Sequence, residues 1–265
     1  MSAEPPRSLA PGFSTDEITS FQQDGFVVVA GLADPSLCDR VRRVSLEHLA
    51  GRVAPVEYEA ELGYPGAPAS LEAEGGRTVR RLRQVLSRDP VFLEWATHPS
   101  ILCRLRQLLG PDLVLPLAHH NCVMTKDPRY SSQTGWHQDI RYWSFTRPEL
   151  VNVWLALGRE DDESGGLALI PGSHRVAIAA DRLDEAQFFR DDLPVNDPLI
   201  HDGHHVSLEA GDVVFFHCRT LHSAGRNTTD GVKLSTVFTY RSADNPPLSE
   251  SRSTSLPELL LPTAD

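Results

Sequence analysis

Apolar and polar positions divide the chain into a helical first part and a strand-rich second part. "STDEITSFQQDG" (14–25) opens with Ser14 and Thr15, carries acids in its first turn and ends at Gly25, the start and stop signals of a helix. "FVVVAGL" (26–32) is a β-rich apolar run, and "DPSLCDRVRRVSLEHLAG" (34–51) has a cap, helical periodicity and a closing glycine at Gly51. "VEYEAELGYPGAPASLEAEGG" (56–76) is acidic and rich in Gly and Pro, so it reads as a loop long enough to serve as a lid or binding element. In "RTVRRLRQVLSR" (77–88) the arginines fall at helical spacing around Val79, Leu82 and Val85, which predicts a solvated helix face. The lesser reading lets Arg80, Arg81 or Arg83 reach a substrate anion. "DPVFLEWATHPSILCRLRQLLGPD" (89–112) predicts two short helices, each opened by a Pro-containing turn.

From Leu113 the period changes. "LVLPLAHHNCVMTK", "GWHQDIRYWSF", "LVNVWLALG", "GLALIPGSHR", "HHVSLEAGDVVFFH" and "KLSTVFTYR" are β-rich runs separated by Gly, Pro, Asp and Asn. Strands at this spacing predict a barrel or sandwich. The insert 175–203 is polar, with helical character around "DRLDEAQFFRDD", "HDGHH" (201–205) reads as a loop, and the tail 243–265 reads as irregular. No internal repeat is visible. The expectation is one domain over 1–265: a helical part to about 112, a β core over about 113–242, then the tail.

Composition narrows the function classes. Hydrophobic content of 40% and charged content of 23% are those of an ordinary globular chain, and no run approaches the roughly 18–20 apolar residues that span a bilayer. "MSAEPPRSLAPGF" has no apolar segment of the secretory kind. Cys38, Cys103, Cys122 and Cys218 are scattered, which predicts free thiols in a reducing cytoplasm. A net charge of −11 argues against nucleic acid or an anionic membrane as partner. Oligomeric state is not legible.

The candidate chemistry centres on "GWHQDIRYW" (135–143). On a strand, side chains at i and i+2 share a face, so His137 and Asp139 would present a nitrogen and an oxygen together. A third ligand should come from a distant strand, and "GDVVFFHCRTLHSAGRN" (211–227) offers His217 within a strand and His222 in a turn-like context after it. Two histidines and one carboxylate on one face of a metal form the triad of non-haem Fe(II) oxygenases. His119 and His120 are adjacent, so at most one faces a barrel interior.

Together "FQQDGFVVVAGL", "LLGPDLVL", "WHQD", "IPGSH", "GDVVFFH", "LHSAGRN" and "STVFTYR" resemble the phytanoyl-CoA dioxygenase-like group of Fe(II)/2-oxoglutarate oxygenases, over most of the chain. The resemblance implies a mainly β fold, a double-stranded β-helix (jelly-roll, cupin-like) core with flanking helices. It implies His137, Asp139 and His222 as iron ligands, with Fe(II) as cofactor and 2-oxoglutarate and O2 as cosubstrates. His217 is then a packed or second imidazole behind the site. Where the group carries an arginine for the far carboxylate of 2-oxoglutarate, this chain has Lys233, with Ser235 on the same strand face. Lysine meets a carboxylate as a point charge rather than a bidentate fork. Arg226 is the substitute candidate, and Lys126 and Trp154 are implied to line the cosubstrate pocket. Arg141, Tyr142 and Trp143, after the ligand strand, are candidates for substrate contact. The implied reaction is oxidation of a C–H bond of a small molecule, by hydroxylation or oxidative ring closure, including polar or sugar-containing natural products. The alternatives are a cupin-like metalloenzyme that does not use 2-oxoglutarate and a non-catalytic ligand-binding barrel.

Overall fold

The structure, a computed structural model, describes residues 11–263. Its N-terminal part follows the helix signals closely. Helix α1 (Thr15–Asp24) is capped by a reciprocal box between Ser14 and Glu17 and ends at Gly25, which has φ of 83°. Glycine is required there twice over: the left-handed backbone disfavours a side chain, and a Cβ would lie 2.4 Å from His174 Nδ1 and 2.6 Å from Thr220 Oγ1. Strand β1 (Phe26–Val29) leads to α2 (Pro35–Ala50), whose Asp34 cap accepts from Leu37 N and whose Pro35 opens the first turn.

The next two segments correct the sequence reading. Residues 56–58 form strand β2 (Val56–Tyr58) and Glu59–Glu61 a 3₁₀ turn, so only 62–76 of the stretch is loop. The arginine-rich run is strand β3 (Val79–Arg83), not a helix. Pairing with β2 on one side and β5 (Asn121–Lys126) on the other satisfies its backbone, and that tertiary pairing overrides the helical spacing of its arginines. Helices α3 (Pro90–Ala96) and α4 (Pro99–Leu109) form as expected, each with proline in its first turn, followed by β4 (Leu113–Pro116).

The β core then comprises β6 (Thr134–His137), β7 (Leu150–Ala156), β8 (Leu167–Leu169), β9 (His204–His205), β10 (Val213–His217), β11 (His222–Ala224) and β12 (Lys233–Ser242). The insert carries its helix later than predicted, as α5 (Asp197–His201), while 183–189 closes an antiparallel bridge. "HDGHH" is therefore the end of α5 and the edge strand β9, not a loop. The tail also contributes a strand, β13 (Glu258–Leu260), on β4.

Among the described residues all strand pairs are antiparallel. The larger sheet runs β1-β10-β7-β12-β5-β3-β2, with β4 on β12, and the smaller runs β6-β11-β8-β9. Phe26, Trp154, Val214, Phe216 and Val237 of the large sheet pack against Leu167 and Leu169 of the small one, filling the space between the two sheets. The outer face of the large sheet, with Val123, Val153, Phe215 and Phe238, is covered by Leu37 and Val41 of α2, Phe92 and Trp95 of α3 and Ile101 and Leu105 of α4. This is the expected jelly-roll with flanking helices. Among the described residues no helix is long and apolar enough to cross a membrane.

Candidate metal centre and cosubstrate pocket

His137 closes β6, and Asp139 follows in a short 3₁₀ turn (Asp139–Tyr142) rather than on the strand itself. The turn still swings the carboxylate back, to 3.8 Å from His137 Nε2. His222 opens β11 directly opposite His137 and lies 3.7 Å through Nε2 from the other Asp139 oxygen. One ligand atom from each residue lies within 4.8 Å of the other two, and all three residues are buried. Each imidazole has Nδ1 beside a backbone carbonyl, His137 at 2.9 Å from Gly135 O and His222 at 3.0 Å from Thr220 O. A carbonyl only accepts, so Nδ1 carries the proton and the Nε2 lone pair faces the centre.

Burial pushes the pKa of both imidazoles down, further for His137, where His222 and Arg141 add to the effect. Burial opposes the charge on Asp139, but His120 and His222 outweigh it and hold the carboxyl well below the usual range. Two neutral imidazoles and a carboxylate are the protonation states a divalent metal needs, so the donor set fits Fe(II).

Asn152 and His120 orient Asp139, with Thr239 behind Asn152; the sequence offered no signal for Asn152 or Thr239. Asn152 on β7, fully buried, donates from Nδ2 to Asp139 Oδ2 at 2.8 Å and accepts from Thr239 Oγ1 at 2.6 Å. His120 stands 3.0 Å through Nε2 from Asp139 Oδ1. Burial would lower its pKa, but the pairing with Asp139 raises it to about 9. Of the adjacent pair, His120 thus faces the centre, while His119 stacks on Trp143 and bonds Ser253. His217 does not join the ligands: it packs on His174, and its Nδ1 accepts from Arg219 N.

The cosubstrate candidates converge, but on a carboxylate of the chain itself. Lys233 Nζ is 3.1 Å from Glu160 Oε2, Ser235 Oγ donates to Oε1, and Trp154 Nε1 reaches Oε2 at 3.1 Å. Glu160 and Ser235 are fully buried, and Lys233 Nζ also sits 4.6 Å from the centre of the Trp154 ring. Lys126 lies opposite Lys233 in the β5–β12 register and donates to Ser132 O. Arg226 is exposed and donates to the carbonyls of Ser131 and Arg129.

Arg141 and Tyr142 hold the insert rather than standing free. Tyr142 OH donates to Ala186 O at 2.7 Å, and the Arg141 guanidinium lies 4.0 Å from the centre of the Phe188 ring. Phe188 in turn meets the His137 ring edge-on at 5.6 Å and the Tyr64 ring at 5.3 Å. Trp143 meets His120 at 5.4 Å. The insert thus brings Phe188 against His137, and the 56–76 loop backs Phe188 with Tyr64. Of the three arginines weighed for an anion, Arg80 is buried against Glu59, Arg81 faces Glu57 and Met124, and Arg83 is exposed.

A family model described as Phytanoyl-CoA dioxygenase (PhyH) matches residues 21–235. A probable phytanoyl-CoA dioxygenase of Caenorhabditis elegans is 22% identical over 242 residues, covering 87% of this chain and 76% of its own length. Among solved structures, the non-haem alpha-ketoglutarate-dependent epimerase SnoN from nogalamycin biosynthesis is 26% identical with a TM-score of 0.68, covering 86% of this chain and 82% of its own. EctD from S. alaskensis, solved with 2-oxoglutarate and 5-hydroxyectoine, is 17% identical with a TM-score of 0.73, covering 93% of this chain and 81% of its own.

Proposed function

The chain belongs to the phytanoyl-CoA dioxygenase family, and from that premise we propose that it is an Fe(II)- and 2-oxoglutarate-dependent oxygenase acting on a C–H bond of a small molecule. The observation that carries this reading is the convergence of His137, Asp139 and His222 within 4.8 Å, with both histidine lone pairs turned inward. When bound, iron and 2-oxoglutarate supply the oxidising power drawn from O2, releasing succinate and CO2.

The chain's own residues do the positioning. Asn152 and His120 fix the Asp139 carboxylate from both oxygens, so its orientation toward the metal is set before any ligand arrives. Lys233, Ser235 and Trp154 are the receptor for the far carboxylate of the cosubstrate, and their donors already suit a carboxylate, since they hold that of Glu160. Phe188 shields the His137 side from water with Tyr64 packed behind it, and Arg141 and Tyr142 anchor the insert that carries Phe188. The aromatic rim of Phe188, Tyr64 and Trp143 suits a compact organic substrate, including a polar or sugar-containing natural product. SnoN acts in nogalamycin biosynthesis and EctD was solved with 5-hydroxyectoine, small molecules both, which supports that class. Four free thiols suit a reducing compartment such as the cytoplasm, and the shared core of helices and sheets suits one catalytic unit.

The test is metal binding without substrate. Anaerobic calorimetry with Fe(II) should give one site per chain, lost in His222→Ala. Full affinity retained in that variant would overturn the reading.

A further inference from the structure

The carboxylate receptor of this pocket is built and already filled. Glu160 accepts from an ammonium, a hydroxyl and an indole N–H, all inside the β core. Its backbone is pinned by reciprocal 2.8 Å bonds with Leu208, so its side chain is delivered to this spot by a fixed main chain. Lys233 has no second acid partner within ion-pair distance among the described residues. Lys126, opposite Lys233 in the register, donates to Ser132 O and makes no ion pair with Glu160 among the described residues, so Lys233 is the cation that holds this carboxylate.

The geometry points to Glu160 as a resident competitor for the cosubstrate: 2-oxoglutarate must displace its carboxylate from Lys233, Ser235 and Trp154 before its own far carboxylate can bind. Two carboxylates cannot share one buried ammonium without strong repulsion. Lys233 also borders a cleft of about 290 Å³, lined on its polar side by Arg42, Arg159, Asp161 and Glu163, so the ammonium can be approached from a side that Glu160 does not line. Glu160 is therefore a specificity-determining residue, one that lowers the advantage 2-oxoglutarate has over 2-oxo acids without a far carboxylate.

This inference rests on the oxygenase reading, and one binding experiment separates the two. The probes are 2-oxoglutarate and 2-oxopentanoate, which has the same carbon chain with a methyl group in place of the far carboxylate. Each is titrated anaerobically into the Fe(II)-loaded protein, and affinity is read from the visible charge-transfer band of the chelated keto acid. In the unaltered chain 2-oxoglutarate should bind less than about tenfold more tightly than 2-oxopentanoate, because a charge-assisted contact worth at least that factor is spent on Glu160. Glu160→Gln should tighten 2-oxoglutarate about tenfold or more while leaving 2-oxopentanoate within about twofold. An unchanged ratio in Glu160→Gln would overturn the inference and leave the oxygenase reading intact. If that variant does not fold, the unaltered chain decides alone: a preference for 2-oxoglutarate above about tenfold shows a free receptor and overturns it. No band with either acid in either protein would sink the oxygenase reading and this inference with it.

Discussion

Replacing Asn152 by leucine separates the support of the metal centre from the stability of the core. Asn152 is fully buried, donates to Asp139 Oδ2 at 2.8 Å and accepts from Thr239 at 2.6 Å. Leucine fills nearly the same volume, so no large cavity is left, but both hydrogen bonds go. The bond to the carboxylate is charge-assisted, worth about 1.5–3 kcal/mol, and the stranded Thr239 hydroxyl costs about 1–3 kcal/mol more. A loss near 3 kcal/mol lowers the melting temperature of a chain this size by about 6–12 °C. Metal affinity suffers separately, because Asp139 keeps only its His120 contact, and a lost outer partner of this kind weakens metal binding about 10–100-fold. Calorimetry with Fe(II) and a thermal melt of the apoprotein read the two effects. The double variant Asn152→Leu/Thr239→Val removes the stranded hydroxyl and should regain about 1–2 kcal/mol of stability with no gain in metal affinity. Metal affinity unchanged in the single variant, or restored in the double, would refute the assignment of Asn152 as the residue that orients Asp139.

The remaining predictions are briefer. His137→Ala and Asp139→Ala should each abolish iron-dependent turnover, whereas His217→Ala should keep most of it; steady-state assays with a substrate or by succinate release decide this. Lys233→Ala should raise the 2-oxoglutarate requirement more than Arg226→Ala, since Arg226 is exposed and bonded to loop carbonyls; the reverse order of KM values would identify Arg226 as the cation. The apoprotein should lose stability in mild acid. Burial pushes the His217 pKa down to about 4, below its unfolded value near 6.5, so the unfolded chain binds the proton first. This contribution is complete above about pH 6.5 and is lost as pH falls from there toward about 4, with a slope of about 1.4 kcal/mol per pH unit. Melting temperatures between pH 7 and 5 should fall less steeply in His217→Gln; an identical slope would contradict it.

The candidate metal centre was legible because its residue types are restrictive and the surrounding motifs resemble a known family. The residues offered His137-x-Asp139 with His217 or His222 and the family resemblance chose His222, while helices α1, α2 and α3 carried their own caps at Ser14, Asp34 and Asp89. What failed depends on long-range pairing. The arginines around Leu82 have helical spacing, yet β2 and β5 flank them and make a strand. Asp139 meets His137 through a 3₁₀ turn, so the two side chains share a site without the strand geometry that the spacing suggested. Glu160 lies in the acidic run "GREDDESGG", where nothing in the sequence separates a buried carboxylate from solvated neighbours. Phe188 and Tyr64 sit in two polar segments far apart in sequence, and only the folded insert and loop bring Phe188 to His137 and Tyr64 to Phe188.

The most direct test of the whole account is an anaerobic titration of the apoprotein with Fe(II) and then 2-oxoglutarate, followed by visible absorption. The account predicts a saturable charge-transfer band that is absent from Asp139→Ala. Iron bound at His137, Asp139 and His222 with no band at any 2-oxoglutarate concentration would contradict it.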